Sequence, residues 1–469
     1  MARKRSKIKT GSFGRGLAMS LAGIRAGGAL AIDGALQKLK PGASDSDEAL
    51  GSSYARREAR RFVAELGRLK GTYVKIGQMF ALLGEHFLPP VLTDALHELE
   101  SSTEPLHWGA IKPVLEESLG ERVDQLSIEH TALAAASLAQ VHRAVVIATG
   151  EQICLKIQYP GLADVIDSDF DTVVRMLLLA RWIKAGRELD DWLESMREQL
   201  HHEIDYRREA RMTDQMGELV GKTTGAAVHY YVPRRYSQYC SDRVLALEYI
   251  DGFVVTRPEI ANLSQARRNT LGKGMLELFF YELYQWGILQ TDPNFGNYLI
   301  RLDQSRGQGG GGTDELTLLD FGSTMSFGQD FLIHFGNAIA AGQAEDRALL
   351  CTSLEGLGCL REDSSDQARQ TFSDFCLQLL EPLRSPELLP PEFLNKKGEY
   401  CWGKSRLIRR AGRQAASSAA TIHFATPSRE FAMIARKLVG VFTFIAVLNA
   451  EFNAHDLVHR HIDRWMEEG

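Results

Sequence analysis

The chain has 469 residues, a length that suits two or three structural units rather than a single core. Its composition, 44% hydrophobic and 24% charged, is typical of a soluble globular protein, and its net charge of −6 excludes a general attraction to nucleic acid. Six cysteines without a C-x-x-C pair favour reduced thiols in a cytosolic protein over a disulfide framework or a zinc site.

Residues 1–45 combine a basic arm, MARKRSKIKT, with the small apolar residues of GLAMSLAGIRAGGALAIDGAL. This segment is either a helix packed on the body of the protein or an interfacial segment whose basic residues contact lipid headgroups. A membrane-spanning helix is not predicted, because the best apolar run, LVGVFTFIAVLNA from Leu438, has 13 residues and a bilayer needs about 20.

Residues 46–127 are predicted to be helical, because apolar side chains recur every three or four residues until LPP at 88–90 ends the pattern. The stripe consists of Phe62, Leu66, Leu69, Tyr73, Ile76, Phe80 and Leu83. Lys75 and Gln78 fall opposite the stripe, so periodicity alone predicts that both side chains are solvated. Gly77 between them costs a helix about 1 kcal/mol, which indicates that another group approaches closely there.

The next segment, VHRAVVIATGEQICLKIQY, is typical of a β-hairpin that turns at ATGEQ, and Lys156 lies in its second strand. Residues 188–214 return to helical periodicity and contain Glu203 and Glu209. These glutamates point roughly 120° apart on one helix, so one helix could offer a carboxylate to each of two lysines. RVLALEYI, residues 243–250, is predicted to be a buried strand.

An apolar helix, LGKGMLELFFYELYQWGIL, leads into TDPNFGN at 291–297, and two strand-like runs follow, YLIRL and LTLLD. Antiparallel pairing of these runs would place Asn297 and Asp320 at the same end of the ladder. An amide oxygen and a carboxylate are hard ligands, suited to Mg²⁺ that bridges phosphates. Asp292, in the same loop as Asn297, could accept the proton of an attacking hydroxyl or water. The order D-x-x-x-x-N, strand, strand, DFG is that of protein-kinase catalytic segments.

A kinase small lobe also requires a strand lysine paired with a helix glutamate, and Lys156 and Glu209 stand in that order. The expected glycine-rich phosphate loop is replaced by ALAAASLAQVH. Four residues of this segment could still offer their backbone N–H groups to phosphates: Ala134, Ala135, Ala136 and Ser137. Because alanine resists positive φ, this loop should be stiffer than a glycine loop.

The motifs stand in the order KIGQ at 75–78, AAAS at 134–137, LKIQYPG at 155–161, EIDYRREA at 203–210, TDPNFGN at 291–297 and LLDFG at 318–322. Together they resemble the UbiB family of atypical kinases, also called AarF or ADCK. The resemblance covers residues 60–340 and extends more loosely to the C-terminus. It implies an α+β, protein-kinase-like, two-lobed fold with a family-specific N-terminal helical extension and a helical C-terminal region.

The resemblance divides the chain into four parts. Residues 1–45 are a basic arm and apolar helix, a candidate for membrane contact, and residues 46–127 are the helical extension with the K-x-G-Q motif. Residues 128–250 are the small lobe with the alanine-rich loop. Residues 251–469 are the large lobe with the catalytic loop, the DFG motif and a helical C-terminus.

Roles follow from the resemblance, position by position. Lys156 resembles the phosphate-binding lysine, with Glu209 as its ion-pair partner. Asp292 resembles the catalytic aspartate, while Asn297 and Asp320 resemble the Mg²⁺ ligands.

Two further groups of residues are assigned in the same way. ATP would contact the alanine-rich loop and also Glu248 and Ile250, at the end of the RVLALEYI strand. In this family the K-x-G-Q motif lies over the active site near the E-x-D motif. The corresponding regulatory residues of this chain are Lys75, Gln78, Glu203 and Asp205.

The family link implies an atypical kinase or ATPase that uses ATP and Mg²⁺ and supports ubiquinone or another isoprenoid-lipid pathway. We expect a lipid or quinone-precursor ligand, no nucleic-acid partner, and a cytoplasmic protein peripheral to the membrane surface; a homodimer is left open. No A-P-E follows DFG, and Gln290-Thr291 replaces the His-Arg that precedes the catalytic aspartate in kinases, so protein kinase activity in trans is disfavoured.

Two alternatives remain open. One is a nucleotide-gated lipid-binding or chaperone-like module without phosphotransfer, against which the filled catalytic positions argue. The other is a small-molecule kinase of the aminoglycoside or choline type, which shares the D-x-x-x-x-N…D pattern; the KIGQ element argues against it.

Overall fold

The computed structural model describes residues 56–57, 59–67, 69, 71–83, 88, 90–96, 99, 104–179, 183, 187–303, 314–361, 363–419 and 428–468. The basic arm and apolar segment at 1–45 lie outside the described residues, so neither interpretation of that segment is tested. The chain forms two compact units. The first contains the described residues of 1–211 with 234–249, and the second contains those of 212–233 with 250–469.

The first unit contains an antiparallel sheet of five strands in which β1, β3, β4 and β6 are neighbours in that order and β2 pairs with β3. The strands are β1 (Leu126–Ile128), β2 (Ala134–Ala135), β3 (Ala139–Val146), β4 (Gln152–Gln158) and β6 (Val244–Glu248). The predicted hairpin is confirmed, because β3 pairs with β4 across a turn in which Gly150 adopts a φ of 73°. The predicted strand in RVLALEYI is confirmed as β6.

The helices of the first unit are α1 (Thr72–Leu83), α2 (Pro90–Leu96), α3 (Trp108–Leu119), α4 (Leu162–Leu179), α5 (Arg187–Ile204) and the start of α6 (Tyr206–Lys222). Residues 59–67, of which all are described, are also helical. The predicted apolar stripe is confirmed as core from Phe62 to Phe80, packed with residues of α2, α4 and α5. The side chain of Leu83 lies outside the described part.

Helix α3 belongs to the hydrophobic cluster of the sheet rather than to that of the K-x-G-Q helix. Ile111, Val114 and Leu115 share a cluster with Leu155 and Ile157 of β4. Strand β1 begins at Leu126, before the predicted start of the small lobe. The sheet and its helix therefore extend across the division that the sequence placed after residue 127.

The second unit contains a three-stranded sheet, β5–β9–β8, and a two-stranded pair, β7 with β10. Its strands are β5 (His229–Tyr231), β7 (Leu289–Gln290), β8 (Tyr298–Arg301), β9 (Glu315–Leu318) and β10 (Thr324–Met325). The predicted antiparallel pairing of YLIRL with LTLLD is confirmed as β8 with β9. Because β5 runs parallel to β9 in this sheet, residues 212–233 join the second unit, although the sequence placed them in the small lobe.

The helices of the second unit are α7 (Pro258–Ala261), α8 (Gln265–Phe280), α9 (Gln329–Ala344), α10 (Arg347–Gly356), α11 (Asp366–Leu379), α12 (Trp402–Ser405), α13 (Leu407–Ala419), α14 (Arg429–Val447) and α15 (His455–Glu468). Helix α8 continues as a π-helical turn, Tyr281–Gln285, and packs with α14 in the core of this unit. All six cysteines are free, as predicted. In the part of the chain that the structure describes, no helix has the length and apolar character that a bilayer crossing requires.

Candidate functional site

In the first unit the structure brings Lys156 and Glu209 together. Lys156 lies inside β4, and its Nζ donates a hydrogen bond of 2.6 Å to Oε1 of Glu209 on α6. Glu209 is 2% exposed, while the lysine side chain keeps 24% of its surface accessible. The ammonium also lies 5.3 Å from the ring centroid of Tyr206, within range of a cation–π interaction. Glu209 therefore fixes the position of the Lys156 ammonium, which stays partly accessible.

The E-x-D motif forms a break between two helices. Helix α5 ends at Ile204, and α6 begins at Tyr206. Oδ1 of Asp205 accepts a hydrogen bond of 2.9 Å from the backbone N–H of Arg208, which caps the start of α6. Our prediction of one helix carrying two glutamates is therefore wrong. A short acidic side chain at this position satisfies free N–H groups of a new helix rather than continuing the old one.

Lys75 of α1 forms an ion pair of 2.5 Å with Glu203 of α5. Their side chains are 20% and 23% exposed, and Gln78 is half-buried on the same helix. The prediction from periodicity that Lys75 and Gln78 are solvated is therefore wrong, because α5 packs against α1. The close approach expected at Gly77 is confirmed: a Cβ there would lie 2.4 Å from Cδ1 of Leu99.

The alanine-rich segment forms a tight hairpin rather than an open loop. Ala134 and Ala135 form β2, which pairs with β3. The N–H of Ala136 donates to the carbonyl of Ala139 at 2.8 Å, and the hydroxyl of Tyr159 donates to the carbonyl of Ala136 at 3.1 Å. This corrects the expectation that Ala136 offers its N–H to a phosphate, because the hairpin already uses that group.

The two remaining nucleotide candidates lie close in sequence but in different units. Glu248 is the last residue of β6, and its N–H donates to the carbonyl of Arg234 at 2.8 Å. Ile250 is buried and is the first residue after the division of the chain. Their contact with ATP stays a prediction.

In the second unit Asp292 and Asn297 contact one another within the loop that follows β7. Nδ2 of Asn297 donates to Oδ2 of Asp292 at 3.0 Å and to its carbonyl at 3.3 Å. Oδ1 of Asn294 accepts from the N–H of Gly296 at 2.9 Å and caps the short 3-10 turn before β8. Hydrogen bonds within the loop therefore stabilise its conformation. The bonds to Asp292 use the nitrogen of the Asn297 amide, so they leave the amide oxygen, the atom that would bind a cation, out of these contacts.

Asp320 follows β9, at the end of the ladder where Asn297 precedes β8. Tyr298 faces Leu318 in the ladder, and the N–H of Leu319 donates to the carbonyl of Asn297 at 3.0 Å. Oδ1 of Asp320 accepts from the N–H of Gly322 at 2.9 Å. The predicted placement at one end of the ladder is therefore confirmed. An amide oxygen and a carboxylate fit the preference of Mg²⁺ for hard oxygen donors; metal binding itself stays a prediction.

Two residues of helix α14 make contacts that the sequence reasoning missed. Nη2 of Arg436 donates to Oδ1 of Asp292 at 3.2 Å. Nζ of Lys437 donates to Oε1 of Gln290 at 2.7 Å and to the hydroxyl of Tyr298 at 2.5 Å. Helix α14 therefore contacts the loop from residue 291 to 297 at Asp292, and it contacts the residues that flank the loop, Gln290 and Tyr298.

Lys437 also faces Glu282 of the π-helical turn at 3.3 Å, and both side chains are 1% exposed. Burial raises the pKa of Glu282 to about 7, which the neighbouring ammonium opposes. Burial likewise lowers the pKa of Lys437. A signal for this site was present in the sequence, because Lys437 falls on the same helical stripe as the buried Ile434 and Val441.

Gly440 lies one turn after Arg436 and permits close approach of the loop from residue 291 to 297. A Cβ at this position would lie 2.1 Å from Cβ of Pro293, whose ring is rigid. We predict that Gly440→Ala lowers the free energy of unfolding by about 1–3 kcal/mol, because overpacking must displace the loop or the helix. Urea denaturation measures the change.

The matched control is Gly412→Ala on α13, where a Cβ meets open space. This change should leave stability equal or raise it by up to about 1 kcal/mol, because alanine is the better helix former. Equal stability of the two variants would show that α14 and the loop are not in the contact described.

Comparison with known proteins adds a family and a fold. The ABC1 atypical kinase-like domain matches residues 98–352. The atypical kinase COQ8B, mitochondrial, of Rattus norvegicus is 29% identical over 449 residues, which cover 95% of this chain and 78% of that protein. The atypical kinase COQ8, mitochondrial, of Saccharomyces cerevisiae is 27% identical over 326 residues, which cover 69% and 62%.

Among solved structures, the chain is similar to Rv3197 of Mycobacterium tuberculosis, determined in complex with erythromycin. The TM-score is 0.57 at 21% sequence identity, and the match covers 90% of this chain and 98% of that one. At this identity the likeness concerns the fold. The family match ends at residue 352, so α14 with Arg436 and Lys437 lies beyond it.

Proposed function

This chain belongs to the ABC1 atypical kinase-like family, and from that premise we propose that it binds MgATP and transfers or hydrolyses the γ-phosphate. The kinase-like fold predicted from the sequence is confirmed by the family and the structural match. The substrate, the acceptor and the place of action form part of the proposal.

The observation that carries the proposal is the bond between Lys156 and Glu209. A buried carboxylate paired with a lysine is no more stabilising than a well-packed apolar pair, so stability gives little reason for it. Kinases need this pair, because it aims the ammonium at the phosphates of ATP. We assign that role to Lys156 and the role of orienting partner to Glu209.

The residues of the second unit supply the remaining chemistry. Asn297 and Asp320 would hold Mg²⁺, which neutralises charge that develops on the phosphates. Asp292 would orient the attacking hydroxyl or water and accept its proton. The hydrogen bond from Asn297 to Asp292 would keep the base and the metal ligand at a fixed distance from one another.

The acceptor we propose is water or a small molecule rather than a protein. The segment from Ser323 to Gly328 is all that separates Gly322 from α9, which leaves little main chain to dock a peptide. At the position before the catalytic loop, the side chain of Gln290 accepts hydrogen bonds from Lys437 and Tyr298. No arginine stands there to receive an activating phosphate.

We further propose a role in ubiquinone or a related isoprenoid-lipid pathway, because relatives of this chain are mitochondrial COQ8 kinases. The ligand would be a lipid or quinone precursor. The protein would act from the cytoplasm at the membrane surface, with the basic arm MARKRSKIKT as the segment in contact with lipid.

Phosphate release by the wild type and by Asp292→Asn tests the proposal. We expect the variant to be slower by about 10²-fold or more, the usual contribution of a general base. The assay is run alone, with vesicles of anionic lipid, and with vesicles that contain a quinone-precursor lipid, which should accelerate only the wild type. Asp124→Asn, an exposed aspartate of the first unit, is the matched control. Equal background release by wild type and Asp292→Asn would favour a nucleotide-gated binding module instead.

A further inference from the structure

Helix α14 contacts the catalytic loop through two consecutive residues that differ in environment. Lys437 is fully buried, and Arg436 is half-buried. Both lie within the second unit, as does the loop from residue 291 to 297. Neither residue belongs to the kinase motifs described above.

The buried lysine joins the two ends of the loop. Gln290 stands immediately before the loop and Tyr298 immediately after it, and Nζ of Lys437 donates to both side chains, at 2.7 and 2.5 Å. The Tyr298 hydroxyl in turn donates to Oε1 of Gln290 at 2.8 Å. Three side chains therefore close a triangle at the base of the loop, which fixes the separation of its ends.

The arginine acts on the loop from outside. Its Nη2 lies 3.2 Å from Oδ1 of Asp292, while Nδ2 of Asn297 lies 3.0 Å from Oδ2. Each oxygen of the carboxylate therefore has its own donor. With both oxygens held, the carboxylate cannot rotate without losing a hydrogen bond to a charged or amide group.

Stability alone does not account for the buried charges. Lys437 and Glu282 are both 1% exposed, and an apolar pair of similar volume would be equally or more stabilising. A methionine at 437 would fill the same space but would contact neither Gln290 nor Tyr298 as a donor. What the ammonium adds is a set of directed hydrogen bonds.

We propose that Arg436 and Lys437 are positioning residues of the kinase site, which hold Asp292 and Asn297 in the geometry for phosphoryl transfer. This inference rests on the proposed function. Lys437 sets the shape of the loop, and Arg436 sets the direction of the Asp292 carboxylate.

The first test is the double variant Lys437→Met/Glu282→Gln, which removes both buried charges so that neither is left alone. We expect its melting temperature to stay close to that of the wild type. Hydrogen–deuterium exchange of the amides at 291–298 should become about tenfold faster or more. The kcat should fall about tenfold or more with little change in KM for MgATP, because a small displacement of reacting groups costs up to about 10²-fold in rate.

Unchanged exchange in this loop would overturn the role of Lys437. Restored kcat in the double variant relative to Lys437→Met would overturn it too, because the lysine would then serve only to neutralise Glu282. If the double variant does not fold, Tyr298→Phe removes one member of the triangle and is compared in the same way. The exchange measurement needs no turnover, so it tests the hold of Lys437 on the loop separately from the proposed function. A wild type no more active than Asp292→Asn would remove the proposed function, whereas unchanged exchange would remove the role of Lys437 alone.

The second test compares the kcat of Arg436→Gln with that of Arg436→Lys. We expect Gln to lower kcat severalfold and Lys, which keeps a cationic donor, to restore most of it. Equal activity of both variants and the wild type would overturn the role of Arg436. A rise in turnover for Arg436→Gln would overturn it as well, since the contact would then restrain Asp292 rather than position it.

Discussion

Asp320→Asn should reduce MgATP turnover on the order of 10³-fold while the protein remains folded. The substitution removes one negative charge from the proposed metal site, where charge on the transferring phosphate must be neutralised. The asparagine oxygen can still accept the hydrogen bond that Oδ1 of Asp320 receives from Gly322, so the turn after β9 is preserved. Phosphate release at a series of Mg²⁺ concentrations is the measurement.

Asp363→Asn, an exposed aspartate elsewhere in the second unit, is the control and should leave turnover unchanged. A higher Mg²⁺ requirement in Asp320→Asn, with the melting temperature unaltered, would locate the loss at the metal. Undiminished turnover in Asp320→Asn would exclude Asp320 as a ligand and, with it, the pairing of Asn297 and Asp320 at one cation.

Lys156→Met should lose both stability and nucleotide binding, for two different reasons. The stability loss, on the order of 3 kcal/mol, is expected because the carboxylate of Glu209, at 2% exposure, loses its ion pair with the ammonium of Lys156. The binding loss is expected because the variant lacks the ammonium that, in the proposed function, contacts the phosphates of ATP. Urea denaturation reports the first effect, and the rise in melting temperature on addition of MgATP reports the second.

The double variant Lys156→Met/Glu209→Gln separates the two effects. It should regain most of the stability, since both charges of the pair are removed together, but should not regain nucleotide binding. Lys112→Met is the control, because Lys112 pairs with Glu116 on an exposed face of α3 and such pairs contribute less than about 1 kcal/mol. Full stabilisation of Lys156→Met by MgATP would contradict the assigned role.

The sequence alone determined the order of the elements and the positions of the ladder ends. The hairpin of β3 and β4 and the pairing of β8 with β9 follow from alternating apolar runs around short turns. Because β8 and β9 are close in the chain and antiparallel, Asn297 and Asp320 had to meet at one end. The helical stripe from Phe62 to Phe80 was equally readable, since its period is a property of the helix itself.

Local patterns failed where a single residue or a neighbour decided the structure. Asp205 ends one helix and caps the next, so Glu203 and Glu209 lie on separate helices although their spacing suits one. The periodicity of its own helix predicts that Lys75 is solvated, but its side chain pairs with Glu203 of α5 and is 20% exposed. Ala136 offers its N–H to the hairpin in which it lies.

Only the tertiary structure decided which distant residues contact the loop from residue 291 to 297 and the residues that flank it. Lys437 is 147 positions from Gln290 and 139 from Tyr298, and Arg436 is 144 from Asp292. Periodicity and turn chemistry are set by residues within a few positions of one another, so they determine the elements and their nearest partners. Contacts over such separations depend on how α14 packs against α8 and the loop, which requires the whole core of the second unit.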